Sequence, residues 1–292
     1  MTNAPLIKPL ADAVLQVHGP AASLVPIVLD SPHSGSLRPA DFDCKLTDED
    51  LRDAQDTHID TLYMPATAQG IALLAAQFPR TYIDVNRHEG DVDLDLLDAP
   101  WPNVYQPSGK AHLGKALAWR TLDDGRALYE RRLSAAQMQW RIDHYHRPYH
   151  QRLQQLLDAA HAQFGKVYHI NCHSMNPVSG VMGEGGEGNV RSDFVLGDRD
   201  GSTCSAEFTA FVRQRLAAHG YDVAVNKPFK GVELVRAYAN PSQGRHSLQL
   251  EINKRIYMDM KTGLQSAHFP VLQERLMQLL RDIQTDFLSS TI

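Results

Sequence analysis

The chain has 292 residues, of which 43% are hydrophobic and 22% are charged, and its net charge is −5. This composition predicts a globular protein that can bury a core without disulfides, and it excludes a disordered chain. The acidic balance argues against nucleic acids and anionic membranes as partners, while a local basic pocket for a small anion remains compatible with it.

From the sequence we expect neither a targeting segment nor a membrane-spanning segment. Its first ten residues lack a basic stretch that leads into an apolar core, and no apolar run approaches the roughly 18 residues of a membrane helix. The three cysteines, Cys44, Cys172 and Cys204, are widely spaced and form no Cys-x-x-Cys pair, so neither a disulfide framework nor a thiolate zinc site is indicated. We therefore expect a reduced, cytoplasmic protein.

Apolar runs alternate with helical periodicity along the chain. The runs that predict strands are residues 26–29, 71–75, 81–85, 167–175, 192–196, 221–225, 233–238 and 247–252. Helical spacing covers residues 47–70, 126–164, 205–219 and 266–288, with a break or kink expected at Pro148. Because no linker or repeat interrupts this alternation, we expect residues 1–292 to form a single α/β domain. Helices would flank both faces of a mixed, largely parallel central sheet.

Two irregular stretches interrupt this pattern. Residues 91–125 have no steady period and are punctuated by Pro and Gly, which is typical of a functional lid or a binding loop. Residues 180–188 hold five glycines in nine positions, but no Lys, Ser or Thr directly follows the last one. This second stretch is therefore not a phosphate loop of the usual type, and a mobile loop is predicted.

The stretch from 167 to 175 is the strongest local candidate for a functional site. His169 and His173 are four residues apart, as zinc-binding pairs on helices are, but the β-favouring residues around them and the Asn-Pro turn that follows predict a strand. On a strand, His169, Asn171 and His173 share one face. The strand then presents His173 at its carboxyl end, with His169 as a structural partner behind it.

Polar residues stand at the ends of four predicted strands. In open α/β sheets, ligands bind beyond the carboxyl ends of the strands, so such residues can converge although they are distant in sequence. They are Asp30 with His33, Asn86 with Arg87, His173, and Glu251.

Three residues fit a metal centre. His33 and His173 supply imidazoles, and Asp56 on the first predicted helix supplies a carboxylate. Together with one water, these groups make up the ligand set of a catalytic zinc ion. A lone His or Asp is more often structural or exposed, so spacing alone leaves both interpretations open.

Other candidate residues have equally ordinary alternatives. Glu251 is either a half-exposed strand residue or a general base whose pKa is raised by burial. Arg87 and Arg236 either bind substrate carboxylates through bidentate contacts or are solvated at the surface. Of His144, His146 and His150, only the last two would share a helical face, which argues against a metal site made by all three. No Gly-x-Ser-x-Gly motif occurs, which counts against a serine hydrolase of the α/β type.

Nine short motifs follow one another in a recognisable order over roughly residues 25–260. They are Ser-Pro-His-Ser-Gly at 31–35, Asp-Thr-His-Ile-Asp-Thr-Leu-Tyr at 56–63, Tyr-Ile-Asp-Val-Asn-Arg at 82–87, Arg-Pro-Tyr-His at 147–150, Cys-His-Ser-Met at 172–175, Asn-Lys-Pro-Phe-Lys-Gly at 226–231, Leu-Val-Arg-Ala-Tyr at 234–238, Gln-Leu-Glu-Ile at 249–252 and Tyr-Met-Asp at 257–259. In this order they resemble the N-formylglutamate amidohydrolases, or N-formylglutamate deformylases, of histidine degradation.

This resemblance implies a fold and a set of site residues. The family is similar to zinc carboxypeptidases and aspartoacylase-type deacylases, which share a three-layer mixed α/β fold, a His-x-x-Glu metal motif, a later His, an Asn-Arg pair and a catalytic Glu. Carried onto this sequence, His33 and His173 match the metal histidines, Asn86 and Arg87 match the substrate-binding pair, and Glu251 matches the base.

The sequence departs from that pattern at two places. Ser36 stands where His-x-x-Glu would put the carboxylate ligand, so we expect Asp56 to supply it, with Asp60 as the alternative. The family's glycine-rich turn before the last Arg motif reads Lys-Gly-Val-Glu at 230–233 here, which leaves the acyl-amino acid open.

The resemblance implies an enzyme that hydrolyses N-formyl-L-glutamate to formate and L-glutamate. It also implies that the enzyme uses one divalent metal ion, which we expect to be zinc. The two histidines and Asp56 would hold the metal, and Glu251 would act as the general base. Arg87 would stabilise the oxyanion or bind one substrate carboxylate, and Arg236 would bind the other. Two alternatives stay open: a deacylase or carboxypeptidase for another N-acyl amino acid or peptide, and a metal-free binding protein on the same fold.

Overall fold

One mixed sheet organises the computed structural model, which describes residues 8–181 and 186–289. Its strands are β1 (Leu15–His18), β2 (Ile27–Ser31), β3 (Ala72–Ala76), β4 (Val167–Met175), β5 (Phe194–Gly197), β6 (Val223–Val225) and β7 (Arg245–Asn253). Their spatial order is β1-β3-β2-β4-β7-β5-β6, with β1 antiparallel to β3, β5 antiparallel to β7 and the other neighbours parallel. The predicted α/β fold with a mixed, largely parallel sheet is confirmed.

Helices cover both faces of this sheet. They are α1 (Asp48–Leu51), α2 (Ile59–Tyr63), α3 (Ala135–Arg141), α4 (Arg147–Phe164), α5 (Ala206–Ala218), α6 (Glu233–Tyr238) and α7 (Phe269–Asp282). Apolar side chains of α2, α5 and α7 form one core with β4 and β7, and those of α3 and α4 form a second core with β2 and β3. No helix within the described residues is both long and apolar enough to cross a membrane.

The central strand β4 carries apolar residues on one face and buried polar residues on the other. Its polar face, predicted from the alternation, contacts the carboxylate of Asp30 on β2. This carboxylate accepts hydrogen bonds from His169 Nε2 at 2.9 Å, Asn171 Nδ2 at 2.7 Å and Tyr149 Oη at 2.8 Å. Because these buried groups satisfy one another, His169 has the structural role that strand geometry predicts.

Residues 81–85 form buried turns, so the strand predicted there is wrong. The position beside β3 is occupied by β1. The backbone of this segment bonds instead to the irregular insertion: the Asp84 amide donates to the Leu117 carbonyl at 2.6 Å, and the Trp119 amide donates to the Thr81 carbonyl at 3.3 Å. Its apolar residues belong to the core that α3 and α4 form with β2 and β3.

Residues 233–238 form helix α6, so the strand predicted for these residues is also wrong. Both neighbours of β7 are already present, β4 on one side and β5 on the other. The segment therefore covers a face of the sheet, and its Leu234 amide donates to Asn86 Oδ1 at 2.9 Å.

The helix predicted for residues 47–70 is interrupted. It consists of α1, a 3₁₀ turn at Arg52–Ala54, helix α2 and a second 3₁₀ segment at Met64–Gln69. Between the 3₁₀ turn and α2, His58 adopts a φ of 67°. The Asp56 amide donates to the His33 carbonyl at 3.0 Å, and Ser34 Oγ donates to the Asp56 carbonyl at 3.0 Å. The loop after β2 thus holds Asp56 outside any helix.

Residues 126–134 are not helical, whereas α3 and α4 follow as predicted with a bend between them. The bend is the π-helical turn Ile142–His146, and Pro148 lies in the first turn of α4, where a missing N–H is tolerated. Of the glycine-rich loop predicted at 180–188, residues 182–185 lie outside the described residues.

Candidate active site

Three of the predicted ligands meet at the carboxyl edge of the sheet. His33 follows β2, His173 lies near the end of β4, and Asp56 comes from the loop before α2. His173 Nδ1 is 3.1 Å from His33 Nδ1 and 2.9 Å from Asp56 Oδ2, and His33 Nδ1 is 3.4 Å from the same carboxylate oxygen. All three residues are buried, and their candidate ligand atoms lie within 4.8 Å of one another.

A buried carboxylate sets the tautomer of the His33 imidazole. His33 Nε2 lies 2.8 Å from Asp84 Oδ1, and a carboxylate only accepts hydrogen bonds, so Nε2 carries the proton and donates it. Asp84 in turn accepts from Arg80 Nη2 at 2.8 Å and from Trp119 Nε1 at 3.3 Å. The lone pair of His33 Nδ1 therefore points into the cluster.

An amide oxygen sets the tautomer of the His173 imidazole. His173 Nε2 lies 2.7 Å from Asn171 Oδ1, and the orientation of this amide is determined because Asn171 Nδ2 donates to Asp30. The imidazole thus donates from Nε2 and presents the lone pair of Nδ1 to the cluster. Asn86 Nδ2 lies 3.2 Å from the same Nε2 atom, and its oxygen is engaged by the Leu234 amide.

Three electron-pair donors thus converge with no hydrogen-bond donor among them. Such an arrangement is unfavourable in a buried site unless a cation lies between the atoms. Two imidazole nitrogens and one carboxylate oxygen form the protein ligand set of catalytic zinc sites, and imidazole also suits other transition metals. The cluster could therefore hold one divalent metal ion.

The structure brings Asp56, and not Asp60, to the histidines. While Oδ2 of Asp56 faces the cluster, its Oδ1 accepts from Ser174 Oγ at 3.2 Å. Asp60 Oδ1 instead accepts from the backbone amide of Thr61 at 2.7 Å.

Replacing Asp84 with asparagine should weaken metal binding about 10–100-fold, the usual effect of losing an outer partner of a metal-bound histidine. The amide can present a donor to His33 and so favour the wrong tautomer. Metal affinity is measured by competition with a chromophoric chelator. Asp93→Asn is the matched control, since Asp93 is another buried carboxylate paired with an arginine, Arg120. Equal affinities in the two variants would contradict this role for Asp84.

Glu251 lies beside the cluster on β7. It is directly opposite His173 in the β4–β7 register, and its Oε1 accepts from Gln249 Nε2 at 2.8 Å. Burial raises the pKa of Glu251 to about 8, and the nearby Asp56 carboxylate contributes to the increase. A carboxyl group with this pKa can both accept and release a proton near neutral pH.

A cavity of about 130 Å³ is lined by Glu251 and by two of the candidate ligands, Asp56 and His173. Six cationic side chains and four acidic ones line it, although the chain as a whole is acidic. They are Arg80, Arg87, Lys110, Lys115, Arg191 and Lys254, against Asp53, Asp56, Asp123 and Glu251. The cavity thus suits an anionic ligand.

The insertion predicted as a lid or binding loop supplies one wall of this cavity through Lys110, Lys115 and Trp119. Arg87 is held against this wall, because its Nε donates to the Lys115 carbonyl at 3.1 Å and its Nη1 donates to the Asn86 carbonyl at 3.1 Å. Burial, together with the neighbouring cations, lowers the pKa of Lys110 to about 7 and that of Lys115 to about 8. This wall concentrates positive charge.

Arg236 does not reach the cavity. Its guanidinium contacts Glu233 on the same helix, with Nη2 2.7 Å from Oε2, and its side chain is 48% exposed. The structure therefore does not bring this residue to the other predicted substrate-binding residues.

His146 and His150 support the loop that carries Asn86 and Arg87. Their rings stack with centroids 4.2 Å apart. His146 Nε2 donates to the Arg87 carbonyl at 2.9 Å, and His150 Nε2 donates to the Val85 carbonyl at 2.8 Å.

Sequence reasoning missed five cationic residues of the cavity: Lys110, Lys115, Lys254, Arg80 and Arg191. The first two lie in the insertion already predicted to bind a ligand, so its lysines were available as a signal. Lys254 directly follows the strand that carries Glu251. Arg191 had no local signal, because only its tertiary contacts bring it to the site.

The fold and this site define a class: an α/β protein with a three-residue candidate metal centre, a buried carboxylate beside it and a cationic cavity, an arrangement typical of metal-dependent hydrolases. The sequence profile of the N-formylglutamate amidohydrolase family matches residues 25–258, and the chain belongs to this family.

Characterised relatives agree with this assignment. The chain is 30% identical over 267 residues to an N-formylglutamate deformylase of Pseudomonas aeruginosa, covering 88% of this chain and 93% of the relative. It is 29% identical over 253 residues to that of Pseudomonas putida, covering 85% and 86%. The crystal structure of N-formylglutamate amidohydrolase from Ralstonia eutropha JMP134 superposes with a TM-score of 0.87 at 38% identity, covering 96% of this chain and 100% of the other.

Proposed function

We propose that this protein hydrolyses N-formyl-L-glutamate to formate and L-glutamate, as the last step of a histidine degradation route, with residues 1–292 acting as one domain. The observation that carries the proposal is the convergence of three lone pairs beside a buried carboxylate and a cationic cavity. The similarity to two N-formylglutamate deformylases supports the same substrate. Free cysteines suit the reducing cytoplasm, the location that we propose.

His33, Asp56 and His173 would hold one divalent ion, which we expect to be zinc. When bound, such an ion supplies Lewis acidity for the formyl group and for the attacking water. The hydrogen bond from His33 to Asp84 keeps the His33 imidazole in the tautomer that binds a metal.

Glu251 is the proposed general base. Its carboxylate takes a proton from the attacking water while the water oxygen bonds to the formyl carbon. It then delivers that proton to the amine nitrogen as the carbon–nitrogen bond breaks, so that formate and glutamate leave. Because burial raises the pKa of this carboxyl group, one group can perform both transfers.

Asn86 and Arg87 are proposed to bind the substrate. The Asn86 amide is oriented by the Leu234 backbone, and Arg87 is held by two backbone carbonyls. Both groups are therefore preorganised, so that the cavity stabilises a carboxylate or a developing oxyanion without rearrangement.

The test is release of formate from N-formyl-L-glutamate by the purified protein, before and after removal of metal with a chelator. We expect activity to disappear with the metal and to return when Zn²⁺ is added. N-acetyl- and N-propionyl-L-glutamate should react progressively more slowly, because the cavity is small. Full activity without metal would contradict the mechanism, and faster hydrolysis of the larger acyl groups would favour a deacylase for another substrate.

A further inference from the structure

Arg191 is a buried cation that no carboxylate contacts directly in the part of the chain that the structure describes, although the charge of Glu251 acts on it from farther away. It is 8% exposed. Among residues 8–181 and 186–289, its guanidinium makes no ion pair within 4.0 Å. Within the same residues, its Nε atom is buried without a hydrogen-bond partner. Buried charges are normally paired, so a buried guanidinium in a cavity wall requires an anion from elsewhere.

The contacts of Arg191 hold it rigidly in the cavity wall. Its Nη1 donates to the Asn176 carbonyl at 3.1 Å, and its guanidinium carbon lies 5.0 Å from the centre of the Phe229 ring. Its backbone is held as well, since its amide donates to the Pro177 carbonyl at 2.9 Å and its carbonyl accepts from Asn253 Nδ2 at 3.2 Å. The remaining donors of a planar guanidinium match the geometry of a carboxylate.

The other arginines of the region are already engaged. Arg80 is paired with Asp84, with Nη2 2.8 Å from Oδ2. Arg87 lies on the wall formed by the 91–125 insertion and has Asp91 at 3.9 Å. Arg236 is paired with Glu233 outside the cavity. Lys254 is engaged as well, since its Nζ donates to the Asp53 carbonyl at 2.9 Å. The remaining cations of the cavity come from two separate segments, one around Arg87 and one at Arg191.

We propose that Arg191 is a specificity-determining residue that binds one of the two substrate carboxylates, while the wall around Arg87 binds the other. This inference rests on the proposed function and deepens it. A dicarboxylate satisfies both cationic segments, whereas an N-formyl amino acid with a neutral side chain leaves one of them unpaired.

The experiment compares the wild type with Arg191→Met on three substrates. N-formyl-L-glutamate has both carboxylates, N-formyl-L-glutamine lacks the side-chain charge, and 4-formamidobutanoate lacks the α-carboxylate. The variant should lose about 100-fold in kcat/KM on N-formyl-L-glutamate, a typical loss for truncating one partner of a buried charge pair. Its kcat/KM should change little on the substrate that lacks the carboxylate bound by Arg191. Arg213→Met, at an exposed position on α5, is the matched control.

Each outcome decides the inference. If N-formyl-L-glutamine is spared, Arg191 binds the side-chain carboxylate, and if 4-formamidobutanoate is spared, it binds the α-carboxylate. The proposal would be overturned if Arg191→Met lost the same factor in kcat/KM on all three substrates, or lost none on any of them. It would also be overturned if the selective loss in kcat/KM appeared in Arg236→Met. Arg191→Lys keeps the charge without the planar fork and should show an intermediate loss, which serves if the Met variant does not fold.

A binding measurement separates this inference from the proposed function. If the wild type releases no formate, the proposed function fails, and titration calorimetry with glutarate still tests Arg191 without turnover. Glutarate should then bind about 10-fold or more weakly to Arg191→Lys than to the wild type. Equal affinity would overturn the assignment of Arg191.

Discussion

Replacing Glu251 with glutamine should lower kcat about 10²–10⁴-fold, the range typical of a lost general base. The substitution keeps the shape of the side chain and removes its ability to take a proton from water. Metal content should not change, because the three candidate ligands are on other residues. Formate release and metal analysis on the same preparation provide the measurement.

The control for this variant is Glu274→Gln, an exposed glutamate on α7 that does not line the cavity. It should behave as the wild type. Retained activity in Glu251→Gln would remove this residue as the base and leave the cavity's other acidic groups as candidates.

The same residue predicts a pH dependence. Glu251 must be ionised to accept a proton, so kcat/KM should rise with pH and level off once the carboxyl group is deprotonated. Burial raises the pKa of this group to about 8, and a bound divalent cation opposes that shift because it stabilises the carboxylate. The midpoint of the acidic limb in the metal-loaded enzyme should therefore lie below pH 8, and the residual activity of Glu251→Gln should lack that limb.

The second large effect concerns the carboxylate ligand. Asp56→Asn should reduce metal affinity more than the 10–100-fold expected for an outer partner, because it removes a direct anionic ligand from a buried site. Activity should fall with metal occupancy and return in part at high metal concentration. Both are read from metal analysis after dialysis and from formate release.

Asp60→Asn is the matched control for this prediction, since Asp60 lies in the same motif and was the alternative ligand from sequence. Its carboxylate accepts from the Thr61 amide and does not approach the histidines. It should retain metal and activity. If Asp60→Asn lost the metal while Asp56→Asn kept it, the ligand assignment would be reversed.

Much of the fold was predictable because periodicity is a local property of the chain. The alternation in 167–175 correctly placed His169, Asn171 and His173 on one face, and the strand ends indicated where His33 and Glu251 would stand. The two strands that were wrong, at 81–85 and 233–238, are short buried segments. For such segments, local pattern does not tell a strand from another buried structure.

The amino-acid sequence by itself determined the α/β class, the central strands and the candidate histidines, since each depends on residues close together in the chain. Only the tertiary structure decided which carboxylate joins the histidines and which arginine enters the cavity. Asp56 reaches the cluster because the loop after β2 holds its backbone. Arg191 lines the cavity through contacts with residues that are distant in sequence, while Arg236 is paired with Glu233 on its own helix. Such choices depend on long-range packing, which no local sequence pattern reports.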